Sequence, residues 1–183
     1  MNICVYCSAN STIDPIFHAA AADLGGQIAA RGDTLVYGGG STGLMGEVAR
    51  AVHAGGGAVH GIIPQALIDR ELAYRKADEL IVTQDIRQRK AEMERRADAF
   101  VVLPGGVGTL DELFEILSLR QLKLTLKPLV VLNQAGFYDP LCALLEHMQS
   151  AAFLRTPLSS LLAFAPDIAG VFAVIDASQN GLH

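Results

Sequence analysis

The segment most suited to chemistry begins with an apolar run, Phe100-Val101-Val102-Leu103. It passes into Pro104-Gly105-Gly106-Val107-Gly108-Thr109 and then into Leu110-Asp111-Glu112. Three glycines within four residues let main-chain N–H groups approach an anion closely, and the start of the helix-like stretch that follows adds partial positive charge. Phosphate is the anion such a loop suits, and Glu112 places a carboxylate one turn away. Thr109-Leu110-Asp111-Glu112 also satisfies the T-x-x-E spacing of a capping box, in which Glu112 would bond the N-cap N–H and stabilise the helix start by about 1 kcal/mol. A capping box does not need the glycines, so the pattern favours a ligand held against the backbone.

A second glycine cluster, Gly38-Gly39-Gly40-Ser41-Thr42-Gly43-Leu44-Met45-Gly46, follows the strand-like Thr34–Tyr37. Gly38, Gly40 and Gly43 satisfy G-x-G-x-x-G, but a dinucleotide site would also want an acid at the end of the next strand. That strand ends Gly61-Ile62-Ile63-Pro64. No lysine follows the glycines, which excludes a P-loop NTPase. Two readings remain, a tight strand-to-helix turn and a loop lining a nucleotide site; the second is the expectation.

The third element is Asp85-Ile86-Arg87-Gln88-Arg89-Lys90-Ala91-Glu92-Met93. Asp85 can cap a helix whose Ile86, Lys90, Met93 and Ala97 fall on one buried line. Lys90 is out of place there: its stem snorkels along the core edge, or its ammonium points into a polar cleft. For the other arginines nearby a solvated face is the simpler reading.

Other chemistry finds little support. Cys4 and Cys7 form a C-x-x-C, but no second pair or nearby histidine completes a metal site, so reduced thiols near a strand end are expected. The five histidines form neither a metal triad nor a Ser-His-Asp order. The net charge of −5 argues against general binding to nucleic acid or to anionic membranes. The apolar stretch Leu158 to Ala177 is broken by Pro166 and Asp167 and makes a poor membrane span. With no signal-like start either, a reducing cytoplasm is the expected location.

The elements that must position these loops alternate along the chain. Strands are expected at Asn2–Tyr6, Thr34–Tyr37, Ala58–Ile63, Leu80–Val82, Ala99–Leu103, Leu129–Leu132 and Leu161–Phe164. Helices are expected at Pro15–Ala30, Leu44–Ala54, Ile86–Ala97, Leu110–Leu122, Asp139–Ala151 and Asp167–Ile175. The strands read as continuous apolar runs, as strands buried on both faces do. The pattern predicts an α/β fold, a Rossmann-like doubly wound parallel sheet with helices on both faces, in one domain over residues 1–183. Ligands in such sheets bind beyond the carboxyl ends of the strands.

Taken together, Pro104–Glu112 as P-G-G-x-G-T-x-x-E, Arg89-Lys90 upstream, Tyr37-Gly38-Gly39-Gly40 with Gly43-Leu44-Met45-Gly46, and the early Cys7-Ser8 resemble the LOG (LONELY GUY) family. These are cytokinin riboside 5′-monophosphate phosphoribohydrolases, often labelled lysine decarboxylases. The resemblance covers roughly residues 1–150 and implies hydrolysis of an N6-modified AMP to free base and ribose 5-phosphate. It puts the catalytic pair on Arg89 and Glu112. Substrate contacts are expected at Glu71, Arg89, Lys90, Gly105, Gly106, Val107, Gly108, Thr109, Leu110, Asp111, Glu112 and Ser118, and at Ser8, Gly39 and Met93. Val107 and the region of Met93 are expected to shape the base pocket. No metal or other cofactor is expected, the partner molecule is a nucleoside 5′-monophosphate, and the family implies a homodimer. A non-catalytic nucleotide sensor on the same fold is the alternative. A pyridoxal-phosphate decarboxylase has no support in the residues.

Overall fold

Each apolar run of the chain forms a short strand, and all seven join one sheet. A computed structural model describes residues 1–68, 70 and 72–180. The strands are β1 (Asn2–Tyr6), β2 (Thr34–Tyr37), β3 (Ala58–Pro64), β4 (Glu79–Thr83), β5 (Ala99–Val102), β6 (Leu129–Leu132) and β7 (Ala163–Ala165), in the spatial order β4-β3-β2-β1-β5-β6-β7. Every neighbouring pair is parallel. Strand order reverses at β1, because β2 lies on one side of it and β5 on the other. Loops leaving β1 and β5 therefore diverge to opposite faces and open a crevice at the carboxyl ends.

The helices are α1 (Pro15–Ala30), α2 (Gly43–Ala54), α3 (Gln65–Ile68), α4 (Ile86–Arg96), α5 (Val107–Gln121), α6 (Asp139–Ser150), α7 (Leu158–Leu161) and α8 (Ile168–Asn180). One apolar layer packs α1, α2 and α8 on the sheet through residues such as Leu24, Val48 and Val171. The other packs α4, α5 and α6 through Met93, Leu113, Ile116 and Leu145. Burying both faces explains why β1, β2, β5 and β6 carry almost no polar residue. Gly25 lets α1 and α2 touch closely, since a Cβ there would lie 2.6 Å from the Val48 carbonyl oxygen.

The expected doubly wound sheet is thus the observed one, with three local differences. β7 lies two residues later than expected because Leu158–Leu161 closes a short helix first. The short α3 was not expected at all. The third difference bears on the site: α5 begins at Val107, three residues ahead of the expected start, with Gly106 in extended conformation as its N-cap. Thr109 is then inside the first turn, and no side chain caps the helix. The capping-box reading of Thr109 and Glu112 is therefore overturned; Glu112 stands more than a turn inside the helix.

Candidate active site

The two glycine loops look alike in sequence and do different work. At α2 the helix N-terminus is already occupied by protein: the Gly43 N–H donates to Ser11 Oγ at 3.1 Å, and the Leu44 N–H donates to the Ser8 carbonyl at 2.9 Å. Gly39 and Ser41 hold a neighbouring segment, with the Tyr74 N–H donating to the Gly39 carbonyl and the Ser41 N–H to the Leu72 carbonyl, both at 2.8 Å. This cluster is a docking edge for protein backbone, and its Gly38, Gly40, Thr42 and Met45 also line the cavity described next, as expected of a loop beside a ligand site. At α5 the first donor to find a helical acceptor is Leu110, on the Gly106 carbonyl at 3.0 Å. The turn before it has no side-chain cap and its Gly106, Gly108 and Thr109 line the cavity, an arrangement suited to binding anions. Ser8 joins the two loops, since its N–H donates to the Pro104 carbonyl at 3.2 Å.

Between these loops lies a cavity of about 430 Å³, within the range of small-molecule sites. Every strand from β1 to β5 leads residues to it: Cys7 and Ser8, Gly38 and Thr42, Ile63, Ile86 and Arg89, and Gly106, Gly108, Thr109, Asp111 and Glu112. Met45, Ile63, Leu67, Leu72 and Ile86 form an apolar wall, while Arg89, Lys90, Asp111 and Glu112 form a charged one.

Arg89 and Glu112 meet at that charged wall. The Arg89 Nη2 lies 3.4 Å from Glu112 Oε1, an ion pair slightly too long to be a good hydrogen bond. Asp85 starts α4 by accepting from the Gln88 N–H at 2.8 Å, as expected, and this sets Arg89 on the first turn facing the sheet. The Arg89 Nε then donates to the Ile62 carbonyl at 3.2 Å. Gly38 provides the space for the guanidinium, because a Cβ there would lie 1.8 Å from Nη2. Glu112 is only 7 % exposed. Burial pushes its carboxyl up to about 7, with Arg89 opposing the shift and Asp111 adding to it. Burial likewise raises the thiols of Cys4 and Cys7, so both stay protonated. All three cysteines are free.

Lys90 takes the second of its two expected positions, with the ammonium in the cleft. It lies 3.0 Å from Asp111 Oδ2 and 2.9 Å from Glu115 Oε2. Arg95 and Arg96 turn away and clamp Glu92, each at 2.6 Å from Oε1.

Of the residues expected to touch substrate, the structure brings Ser8, Arg89, Lys90, Gly106, Gly108, Thr109, Asp111 and Glu112 to one cavity. Six others stand outside its lining. Met93 is fully buried in the core beneath α4, so it does not shape a base pocket. Val107, 85 % exposed, begins α5 on its outer side. Leu110 packs on the core, and Gly39 lies under the loop against Ile63. Gly105 sits against the Thr109 hydroxyl. Ser118 is exposed further along α5 and donates to the Phe114 carbonyl at 2.7 Å. Glu71 lies outside the described residues. The apolar wall was missed, because Leu67 and Leu72 belong to no motif and enter with the segment after β3, while Met45 stands in the glycine motif on α2 with no local signal that it faces a cavity.

The family model described as "Possible lysine decarboxylase" matches residues 45–175. A rice protein named "Probable cytokinin riboside 5'-monophosphate phosphoribohydrolase LOGL5" is 43 % identical over 164 residues, covering 90 % of this chain and 67 % of the relative. LOG2 of Arabidopsis thaliana, named a cytokinin riboside 5'-monophosphate phosphoribohydrolase, is 43 % identical over 165 residues, covering 90 % and 78 %. The chain belongs to the LOG family. Solved structures share the fold beyond the LOG relatives. The molybdenum cofactor binding protein of Rippkaea orientalis superposes with a TM-score of 0.74 at 22 % identity, covering 96 % of this chain and 95 % of that one. The Moco carrier protein of Chlamydomonas reinhardtii gives 0.73 at 24 %, covering 99 % and 98 %. At such identities the likeness concerns architecture alone. Within the LOG family, the Arg and Glu that the resemblance singled out are the two side chains paired at the charged wall here.

Proposed function

We propose that this chain hydrolyses the N-glycosidic bond of N6-modified adenosine 5′-monophosphates, releasing the free base and ribose 5-phosphate. The observation that carries the reading is the Arg89–Glu112 pair, largely withdrawn from water, beside the uncapped start of α5. A 5′-phosphate bound by the amides of Gly106 to Thr109 brings the ribose over Glu112. As the glycosidic bond breaks, its electron pair leaves with the base and positive charge develops at the anomeric carbon. The Glu112 carboxylate stabilises that charge and orients the attacking water. The water's hydroxyl ends on the anomeric carbon and its proton on the departing base. Arg89, permanently charged and planar, holds Glu112 in place and faces the ribose and base. Phosphate binding supplies the remote binding energy that positions the reacting carbon.

The apolar wall of Met45, Ile63, Leu67, Leu72 and Ile86 supports a base carrying an apolar N6 substituent. Ser8, Thr109 and Asp111 are assigned to substrate contact on their position at the cavity, and Glu71 on the family resemblance. Among the described residues no cluster of His, Cys, Asp and Glu is placed to hold a metal ion, and the proposed hydrolysis uses none. The proposed assembly is a homodimer of single-domain chains in the cytoplasm; no described helix is long and apolar enough to cross a membrane.

The test is release of free base from AMP, isopentenyl-AMP and the matching ribosides. Both monophosphates should outperform their ribosides, and isopentenyl-AMP should exceed AMP by about tenfold or more in kcat/KM. Glu112→Gln should lower turnover by about 100-fold or more while the protein stays folded. Equal rates on ribosides and monophosphates would remove the phosphate-anchoring step, and near-native turnover of Glu112→Gln would remove the catalytic role of Glu112.

A further inference from the structure

Three carboxylates, Asp111, Glu112 and Glu115, stand on the first turns of α5, where the proposed reaction places a phosphate. An anion site beside that much negative charge needs compensation. Lys90 supplies it from α4. Its Nζ lies 3.1 and 3.0 Å from the two Asp111 oxygens and 2.9 Å from Glu115 Oε2. The Lys90 side chain is 15 % exposed, far less than Asp111 at 54 % or Glu115 at 41 %. The ammonium is thus hydrogen-bonded to Asp111 and ion-paired with Glu115, so its charge is committed to α5.

The charged groups around Glu112 come from three elements. Arg89 and Lys90 face it from α4, and Asp111 and Glu115 share its helix. From β1 and the loop after it come Cys4, Tyr6 and Cys7, all held neutral by burial. Arg89 and Lys90 lower the Glu112 pKa, while Asp111 and Glu115 raise it. With Lys90 absent, Arg89 alone would oppose burial and the two acids at Glu112.

We infer that Lys90 is a positioning residue that acts through Glu112. It neutralises Asp111 and Glu115 and ties α4 to α5, so that Glu112 reaches its carboxylate form beside Arg89. The inference rests on the hydrolase reading for its consequence in turnover, but the electrostatic effect can be measured without substrate.

The experiment titrates the protein labelled with carboxyl-¹³C glutamate by NMR, with the Glu112 signal assigned through its loss in Glu112→Gln. Relative to the unsubstituted protein, Lys90→Met should raise the Glu112 midpoint by about half a pH unit or more. Asp111→Asn with Glu115→Gln, on the Lys90 background, should lower it. Combining all three substitutions should bring the midpoint back to within about 0.3 of its original value. An unmoved midpoint in both Lys90→Met and the double variant overturns the inference; the double variant decides the matter if Lys90→Met fails to fold.

With isopentenyl-AMP, Lys90→Met should shift the acid limb of kcat/KM to higher pH and change KM by less than about threefold, and Lys90→Arg should restore the profile. A KM rise beyond about tenfold with an unmoved acid limb would make Lys90 a direct phosphate ligand and overturn the inference. If the unsubstituted protein released no base, the hydrolase reading would fall while the titration still judged Lys90.

Discussion

At the scale of single residues, the decisive fact is the cost of burying Glu112. Its carboxyl lies at about 7 against an ordinary 4.5, chiefly because burial disfavours the charged form. Below 4.5 both the folded and unfolded chains hold the proton. Between 4.5 and about 7 the unfolded chain loses it while the folded chain keeps it, so stability falls as pH rises through that window and levels off above it. A gap of that size corresponds to roughly 3 kcal/mol. Urea unfolding between pH 5 and pH 8 should therefore show a loss of stability that Glu112→Gln lacks. If the two proteins changed in parallel over that range, the carboxyl would not be the strained group. The same burial serves the reaction, because in a site of low polarity a carboxylate stabilises developing positive charge more strongly than it does in water.

At the scale of elements, two helix N-termini flank one cavity, and only one is free. α2 spends its amides on Ser8 and Ser11, while the first turn of α5 has no side-chain cap. The α2 junction depends on Gly43. Its φ is +57°, and a Cβ there would lie 2.4 Å from the Ala9 carbonyl carbon, an atom of rigid backbone. Gly43→Ala should cost about 1–3 kcal/mol and lower the melting temperature, with the Ser8 loop displaced from the cavity. Thermal unfolding checks this, and an unchanged midpoint would mean that the loop is not seated on α2 as described.

This contrast also marks what the sequence made legible. Apolar runs and glycine turns carry a strong local signal, so β1 to β6 and the placing of both loops could be read directly. Arg89 and Glu112 were readable as a pair only through the family resemblance, since they lie on different helices and no local rule joins them. The start of α5 was misread because T-x-x-E imitates a cap, whereas Gly106 ends the loop without any side-chain bond. Met93 followed a helical period correctly, but that period reports burial, not contact with a ligand. The docking of residues 72–74 on Gly39 and Gly40 is a long-range backbone pairing with no sequence signature.

At the scale of the whole molecule, the site depends on the sheet remaining one body. The cavity takes residues from after five consecutive strands, and the two apolar layers share the same sheet as a wall. Neither layer can be buried unless the other strand face is covered too, since β1, β2, β5 and β6 are apolar on both sides. Loss of the helices over one face should therefore expose the other, and unfolding should be cooperative across the chain. Far-ultraviolet circular dichroism and tyrosine fluorescence should give coincident urea transitions, because Tyr6, Tyr37 and Tyr138 are buried in both layers. The proposed homodimer would add a further requirement. Val82, Ile86 and Val107 are 50, 44 and 85 % exposed toward the carboxyl end of the sheet, and a second copy covering them would couple folding to association. The common midpoint should then rise with protein concentration. Two separated transitions would break the single-body account, and a midpoint independent of concentration would remove the dimer while leaving the cavity and its chemistry within one chain.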